Sequence, residues 1–351
     1  MADFPVHPEQ VTAAWLGDVL GTPVASVAWE SIGTGQVGDS ARFHIRYEGA
    51  DGRATLAGKF PAADPTSRNT AVMMGLYRKE VGFYRELAPQ LDIRVPNVLV
   101  SHLADDGADF MLLFEDLGPA RGGNQLDSCS IDDARHAIRQ AAALHAPSWN
   151  RAAIVDIPIL QPAPGLSEQI AQMYPQAHAV FADRYRDTLE PEYMKILDTL
   201  AQLSGQWFDR EPTDRCLVHG DFRLDNMLFD IRDGSEPIAV LDWQTVTTGN
   251  AMTDIGYFLG CGIGDALRRA HETELIDLYC EEMTRRGVHL TRKMVWDDYR
   301  IGALHGASTA VFSAAFVERT ERGDANFLSM ARGACALALE HDSLGALKGE
   351  M

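Results

Sequence analysis

The spacing of apolar residues changes once along the chain, near residue 118, and this change limits the folds that the sequence can adopt. Before it, apolar and polar side chains alternate from Ala41 to Glu48, which is typical of a half-buried β-strand. After it, six segments carry apolar residues at helical spacing. This order predicts an α+β fold of two lobes with a cleft between them. We expect a β-rich N-terminal lobe over residues 1–117 and a larger helical lobe over residues 118–351.

Composition and charge argue against several classes of function. Of the 351 residues, 46% are hydrophobic and 23% are charged, which is typical of a globular protein. We find neither an apolar run of the roughly 18 residues that a membrane helix needs nor a secretory signal. Five cysteines without metal-ligand spacing indicate reduced thiols, so we expect a cytoplasmic protein with no membrane partner. The net charge of −19 without a basic stripe argues against nucleic acid as a partner.

A short segment of the second lobe combines the residue types that phosphoryl transfer requires. His219-Gly220-Asp221 begins an H-G-D-x-x-x-x-N pattern that ends at Asn226, and a later apolar strand ends at Asp242. Amide and carboxylate oxygens suit Mg²⁺, so Asn226 and Asp242 are the candidate metal ligands. Asp221 can accept or orient the proton of a substrate hydroxyl. Turns rich in Asp and Asn are common, but the ordered spacing and the two flanking strands favour a phosphoryl-transfer site.

The glycine-rich segment from Gly33 to Gly38 matches G-x-G-x-x-G, a pattern that different nucleotide sites share. A dinucleotide-binding site would require a helix directly after Gly38, but strand-like alternation follows. A Walker A loop would require a lysine where Asp39 stands, and a carboxylate there would repel phosphates. Two interpretations remain, a plain glycine-rich turn and a hairpin that closes over a nucleotide. In the second, Gly33, Gly35 and Gly38 would lie against the phosphates.

A lysine and a glutamate of the first lobe support the hairpin interpretation. Lys59 is flanked by apolar and small residues in a predicted strand, where it can direct a charge at the α- and β-phosphates. Glu80 lies within the apolar stripe of one long helix predicted over residues 69–88. A buried carboxylate is costly unless it is paired, so we expect Glu80 to pair with Lys59. The alternatives are a solvated lysine and a glutamate that reaches solvent at the helix rim.

The sequence resembles the aminoglycoside phosphotransferase and choline-kinase-like group of the protein-kinase-like superfamily. The segment His219–Phe229 is also similar to the ecdysteroid-kinase-like and acyl-CoA-dehydrogenase-associated phosphotransferase branches. Matching features follow one another in order from Gly33–Gly38 to Asp254–Leu259. The resemblance implies a protein-kinase-like bilobal fold and an enzyme that uses ATP and Mg²⁺. Such an enzyme would transfer the γ-phosphoryl group to a hydroxyl of a small molecule.

The resemblance also implies roles for the residues that match. Asp221 would be the catalytic base, and Lys59, oriented by Glu80, would contact the α- and β-phosphates. The segment Glu115–Leu117 would form the hinge between the lobes and offer backbone hydrogen bonds to adenine, with Glu115 and Leu117 as the contacting residues. The metal ligands would be Asn226 and Asp242.

Four further residues near the catalytic segment are candidates for supporting roles. Asp254 precedes an apolar helical run and is predicted to cap that helix, whereas the resemblance implies that it braces the catalytic loop. His219 is interpreted as a structural holder of this loop rather than a proton carrier. Arg223 and Asp225 are candidates for lining the acceptor site, and the alternative for them is a surface ion pair.

Two other classes of function stay open at this point. A pseudokinase would bind nucleotide as a scaffold, but a degenerate site usually loses one of the five residues Lys59, Glu80, Asp221, Asn226 and Asp242. A protein kinase is expected to have His-Arg-Asp in the catalytic loop and a later Ala-Pro-Glu, and this sequence has neither. The acceptor (an aminoglycoside, amino alcohol, sugar, sterol or hydroxyacyl thioester) is not determined, nor is the choice between ATP and GTP.

Overall fold

A five-stranded antiparallel sheet opens the fold in the computed structural model, which describes residues 3–33, 37–49, 52–317 and 319–349. Its strands are β1 (Val24–Ile32), β2 (Gly38–Tyr47), β3 (Thr55–Pro61), β4 (Val98–Leu103) and β5 (Phe110–Glu115). They lie side by side in the order β1-β2-β3-β5-β4, and each adjacent pair is antiparallel.

The alternation predicted from Ala41 is confirmed in β2, where Ala41, Phe43 and Ile45 are buried and polar residues separate them. Because the chain after Gly38 is a strand, the dinucleotide-binding interpretation of the glycine segment is excluded.

Strand β5 is buried on both faces. Phe110 and Phe114 join the large core shared with the helical part of the chain. Met111 and Leu113 point the other way and join a second core under helix α1 (Ala13–Leu20). Burial on both faces explains why this strand is an uninterrupted apolar run in the sequence.

The prediction of one long helix over residues 69–88 is wrong. Two helices, α2 (Pro65–Met73) and α3 (Leu76–Gly82), meet at Gly75, whose φ of +67° is left-handed. A left-handed glycine ends one helix and starts another at little steric cost. After Gly82 the helix continues as a wider π-type turn over Phe83–Leu87. The break leaves only the short helix α3 to carry Glu80.

Helices form most of the remaining chain, so the predicted two-lobe α+β fold is confirmed. The pattern predicted from helical spacing agrees with most of them, although two predicted helices are each divided in two. No helix within the described ranges is both long and apolar enough to cross a membrane. The helices are α4 (Ile131–Ser148), α5 (Ala152–Val155), α6 (Leu166–Tyr185), α7 (Pro191–Gln202), α8 (Ser204–Phe208), α9 (Met252–Tyr257), α10 (Asp265–Arg285), α11 (Arg292–Phe316), α12 (Glu321–Glu340) and α13 (Ser343–Lys348).

Five short strands surround the catalytic loop. They are β6 (Arg121–Gly122), β7 (Cys216–Val218), β8 (Met227–Asp230), β9 (Glu236–Val240) and β10 (Thr247–Gly249). Strand β8 lies between β6 and β9, and β7 pairs with β10. The catalytic loop therefore starts at the end of β7 and ends at the start of β8. Met227 pairs with Val240, which brings the end of this loop next to the end of β9.

Candidate active site

Lys59 on β3 joins the two lobes. Its Nζ lies 2.8 Å from Glu80 Oε1 on α3 and 3.0 Å from Asp242 Oδ1, which follows β9. Glu80 is 2% exposed, so its carboxylate depends on Lys59 for the charge compensation that burial requires. The expected pair is present, and the solvated alternatives for both residues are wrong.

The charge of Lys59 is maintained by its two partners. Burial alone would lower the pKa of a lysine, but the carboxylates of Asp242 and Glu80 raise the pKa of Lys59 well above its usual value. One ammonium thus has two carboxyl partners, and burial raises the pKa of the Glu80 carboxyl despite the charge of Lys59.

Asp221 in the catalytic loop accepts hydrogen bonds from three side chains. Arg223 Nε lies 3.1 Å and Asn226 Nδ2 lies 2.8 Å from its Oδ2. On the other side, the hydroxyl of Tyr257 at the end of α9 lies 2.9 Å from its Oδ1. Three donors from different directions fix the orientation of this carboxylate.

The same contacts keep Asp221 ionised. Burial alone would raise the pKa of this carboxyl, but the charge of Arg223, with hydrogen bonds from Tyr257 and Asn226, holds the pKa of Asp221 below its usual value. The group is therefore a carboxylate near neutral pH and can accept a hydrogen bond from a hydroxyl.

Asn226 and Asp242 are brought together by the pairing of β8 with β9. The amide of Leu241 donates to the carbonyl of Asn226 at 2.8 Å, so Asp242 is the next residue beyond the pairing. Asn226 Nδ2 donates to Asp221, which turns its amide oxygen away from that carboxylate. Asp242 has a left-handed φ of 63°, an uncommon conformation for a residue other than glycine.

These two residues fit a metal that is held jointly with a substrate. No three His, Cys, Asp or Glu side chains among the described residues are grouped so that they could hold a metal ion by themselves. Mg²⁺ often takes one or two protein oxygens together with substrate phosphates. Asn226 and Asp242 provide an amide and a carboxylate oxygen of this kind. The donor set therefore suits Mg²⁺ that arrives with a nucleotide.

Asp254 binds the backbone at the start of the catalytic loop, at His219 and Gly220. It lies inside α9 and is fully buried, and its carboxylate accepts the backbone N–H of His219 at 2.7 Å and that of Gly220 at 3.0 Å. His145 Nε2 lies 3.2 Å from the same carboxylate. The prediction that Asp254 caps the helix is wrong, because Ala251 occupies the N-cap position and Asp254 lies inside the helix. The contact is the one that the resemblance implied.

Both ring nitrogens of His219 are used within the protein. Nε2 lies 2.9 Å from the carbonyl oxygen of Leu241, and the backbone N–H of Asp221 donates to Nδ1 at 3.2 Å. This pattern requires the neutral tautomer with its proton on Nε2. The ring therefore ties the catalytic loop to the strand that precedes Asp242, as the structural interpretation of His219 requires.

The side chain of Glu115 is not directed at a nucleotide. Its carboxylate accepts from Arg94 at 2.8 Å, from the backbone N–H of Asn97 at 2.9 Å and from Arg232. The carbonyl oxygen of Leu117 accepts the N–H of Arg232 at 3.3 Å. The predicted adenine contacts use backbone groups rather than side chains. Because the carbonyl oxygen of Leu117 is bonded to Arg232, the N–H of Leu117 is the group left for such a contact. The hinge role of this segment and the lobe boundary at residue 118 stay predictions.

The C-terminal end of the glycine segment, at Gly38, lies against Lys59. Gly38 pairs with Pro61, and a Cβ added at Gly38 would lie 3.2 Å from Lys59 Cε, so this position has little room for a side chain. Gly33 has a left-handed φ of +76°. Gly35 lies outside the described residues. The contact of these glycines with phosphates stays a prediction.

Arg223 and Asp225 belong to a half-buried network rather than to a simple surface pair. They are 4.0 Å apart, and Arg223 is bonded to Asp221 instead. Asp225 accepts from the backbone N–H of Gln125 at 3.3 Å and from Arg322 at 3.4 Å. The network lies next to Asp221, and its role toward an acceptor stays a prediction.

Three side chains that contact the catalytic loop were missed by the sequence reasoning. Tyr257 donates to Asp221, His305 Nε2 on α11 lies 2.8 Å from the carbonyl oxygen of Gly220, and Thr245 donates to the carbonyl oxygen of His219 at 2.8 Å. Only Tyr257 lay in a segment that the sequence marked. His305 is 85 residues away from its partner, and no local pattern indicates the contact.

Comparison with known proteins gives a family. The model of the family described as APH, the phosphotransferase enzyme family, matches residues 70–287. Curated relatives include the acyl-CoA dehydrogenase family member 11 of Mus musculus, 36% identical over 90 residues, which are 22% of this chain and 11% of that protein. The probable acyl-CoA dehydrogenase IBR3 of Arabidopsis thaliana is 46% identical over 41 residues, 12% of this chain and 5% of that protein. The chain thus spans about a tenth or less of the length of these relatives.

Solved structures share the fold over nearly the whole chain. Choline kinase from Cryptosporidium parvum has a TM-score of 0.54 at 12% identity, covering 93% of this chain and 91% of that one. The GDP complex of wild-type aminoglycoside 2'-phosphotransferase-IIIa has a TM-score of 0.53 at 16% identity, covering 88% and 92%. These likenesses confirm the predicted kinase-like fold.

Proposed function

The chain belongs to the phosphotransferase enzyme family, and on this basis we propose that it transfers the γ-phosphoryl group of ATP, with Mg²⁺, to a hydroxyl of a small molecule. The observation that carries this proposal is the contact between Lys59 Nζ and Asp242 Oδ1 at 3.0 Å. It joins the nucleotide side of the site to the pair Asn226 and Asp242. Asp221 lies on the same loop as Asn226, so the residues proposed to bind phosphate, metal and acceptor lie next to one another.

In the proposed reaction a bond forms between the acceptor oxygen and the γ-phosphorus, and the bond from this phosphorus to the β–γ bridging oxygen breaks. Asp221, held as a carboxylate by Arg223 and Tyr257, accepts a hydrogen bond from the acceptor hydroxyl and orients its oxygen. The hydroxyl proton passes to Asp221 late, because phosphoryl transfer proceeds through a loose transition state. The lowered pKa of Asp221 suits a carboxylate that orients the hydroxyl better than one that acts as a strong base.

Charge on the phosphates is offset from two sides. Lys59, fixed by Glu80, offers its ammonium to the α- and β-phosphates. Mg²⁺, when bound through Asn226 and Asp242, would neutralise the charge on the β- and γ-phosphates. ADP and the phosphorylated acceptor are the products.

A screen for nucleotide consumption tests this proposal. The wild-type chain is incubated with ATP and Mg²⁺ beside a panel of aminoglycosides, amino alcohols, sugars, sterols and hydroxyacyl thioesters, with a peptide array in parallel. We expect ATP consumption that depends on one class of small hydroxyl compound and not on the peptides. Labelling of the peptides instead would identify a protein kinase. Binding of ATP without consumption across the panel would favour a scaffold.

Replacing Glu80 with Gln is expected to weaken nucleotide binding without unfolding the chain. The amide removes the charge that orients Lys59, while Asp242 still pairs with that lysine. We expect the dissociation constant of ATP·Mg²⁺ to rise about tenfold, which corresponds to ~1.4 kcal/mol. Thermal melts with and without ATP·Mg²⁺ measure the loss as a smaller ligand-induced shift. Glu86→Gln, at an exposed position on the same helical run, is the control. An unchanged shift in Glu80→Gln would refute the orienting role.

A further inference from the structure

Tyr77 connects three parts of the proposed nucleotide site. It lies on α3 three residues before Glu80, so the two side chains lie on the same side of the helix. Its hydroxyl donates to the carbonyl oxygen of Val37 in the glycine segment at 2.7 Å. The same hydroxyl accepts the backbone N–H of Ala62 at 3.1 Å, just after the strand that carries Lys59. One side chain therefore bonds both to the glycine segment and to the end of β3.

Burial makes these contacts costly to lose. Tyr77 is 1% exposed and Ala62 is 3% exposed, and the Tyr77 ring packs on Phe110 with centroids 4.5 Å apart. Without the hydroxyl, the amide of Ala62 and the carbonyl of Val37 would lose their bonds to this side chain. An unpaired buried backbone group is destabilising, so the chain at Ala62 would have to shift to find another partner, and the half-buried Val37 would lose its link to α3.

Asp39 makes a second contact of the same kind. Its Oδ2 accepts the backbone N–H of Ala63 at 2.9 Å. Adjacent amides, those of Ala62 and Ala63, thus bind Tyr77 and Asp39. The sequence suggested that a carboxylate at position 39 would repel phosphates, but this carboxylate is bound to the backbone beyond β3.

From these contacts we propose that Tyr77 and Asp39 are positioning residues that clamp the C-terminal end of the glycine segment, Val37 and Gly38, beside the strand that carries Lys59, where it can contribute to binding nucleotide phosphates. This inference rests on the proposed function, since it concerns the same ATP site. Because Tyr77 lies on α3, the helix that orients Lys59 through Glu80 also holds this end of the glycine segment at Val37.

Binding of three ligands tests the clamp without any acceptor. Isothermal titration calorimetry measures dissociation constants of ATP·Mg²⁺, ADP and adenosine for the wild-type chain and for Tyr77→Phe. We expect the constants for ATP·Mg²⁺ and ADP to rise about tenfold in the variant. Adenosine carries no phosphate, so its constant should stay within about twofold of the wild-type value. A purely structural role of Tyr77 would change all three constants or none.

Two substitutions of Asp39 give an independent test at a residue that is only half buried. If Asp39 anchors the segment, Asp39→Ala weakens ATP·Mg²⁺ binding several-fold, whereas Asp39→Asn, which keeps an oxygen acceptor, stays near the wild-type value. If Asp39 instead repels the phosphates, both variants bind ATP·Mg²⁺ more tightly, and the clamp is refuted.

The control is Tyr174→Phe in α6, a fully buried tyrosine whose hydroxyl has no hydrogen-bond partner among the described residues. This variant should leave all three constants unchanged. If the wild-type chain binds neither ATP nor ADP, the proposed function fails and the clamp fails with it. If the wild type binds them and Tyr77→Phe binds them equally well, the clamp alone is wrong.

Discussion

Asp221→Asn is expected to lower the rate of phosphoryl transfer by about 10²- to 10⁴-fold while ATP·Mg²⁺ still binds. The amide keeps the shape of the side chain, but it cannot take the proton of the acceptor hydroxyl. Lys59 bonds to Glu80 and Asp242 rather than to Asp221, so its proposed contact with the phosphates is kept. Steady-state kinetics with the acceptor found in the screen measures the rate, and calorimetry with ATP·Mg²⁺ measures binding.

The matched control is Asp230→Asn at the end of β8, where the side chain is 62% exposed and pairs with Arg121. This variant should keep the wild-type rate. Turnover of Asp221→Asn within about threefold of the wild type would contradict the role of Asp221, because general acid–base groups contribute far more than this.

Asp254→Ala is expected to lower the free energy of unfolding by about 3–5 kcal/mol. The substitution removes the acceptor of two backbone amides, those of His219 and Gly220, and the partner of His145, all close to the catalytic loop. Urea unfolding followed by tryptophan fluorescence measures this loss, since Trp243 stacks on Phe83 beside the site with centroids 3.8 Å apart. Activity should fall with it, because Asp221 follows these two residues.

The pH dependence of this stabilisation has a definite sign. Burial would raise the pKa of Asp254, but His145 and the backbone of His219 hold it below the ordinary value of 3.8. A depressed carboxyl pKa stabilises the fold fully above the ordinary value and loses this contribution as the pH falls through the folded value. The difference in the free energy of unfolding between the wild type and Asp254→Ala should therefore be constant near neutral pH and shrink below about pH 4. A difference that grows in acid would contradict the brace.

Asp297→Ala serves as the control for Asp254→Ala. Its side chain is 81% exposed and pairs with Arg300 on the same helix. Exposed pairs of this kind contribute about 0–1 kcal/mol. A loss in Asp254→Ala no larger than in this control would show that the buried contacts do not stabilise the loop.

Much of the catalytic side of the site could be predicted because its residues are close in sequence. Asp221 and Asn226 lie on one loop, which leads into β8. Asp242 follows β9, the strand that pairs with β8. The pair of Lys59 and Glu80 could be predicted across 21 residues for a different reason. A carboxylate within an apolar stripe needs a partner, and Lys59 lies on a neighbouring predicted strand between apolar and small residues.

The parts that could not be predicted depend on contacts between distant segments. Residues before a helical run often cap it, yet Asp254 lies inside the helix and accepts hydrogen bonds from the backbone of the catalytic loop. His305 and Tyr77 meet backbone carbonyl groups 85 and 40 residues away. Backbone groups carry no sequence signal, so hydrogen bonds to them cannot be recognised from residue spacing. The left-handed Gly75 divided a helix whose apolar spacing continued across it.

Following the γ-phosphate of ATP tests the central claim most directly. The wild-type chain is incubated with ATP labelled in its γ-phosphate, with Mg²⁺ or with EDTA, and with the acceptor panel; Asp221→Asn is treated in the same way. We predict that label moves into one small-molecule acceptor only with the wild type and Mg²⁺, while ADP forms in equal amount. Label found only in inorganic phosphate or in protein, or transfer that continues at the wild-type rate in EDTA or in Asp221→Asn, would contradict a magnesium-dependent small-molecule phosphotransferase built on this site.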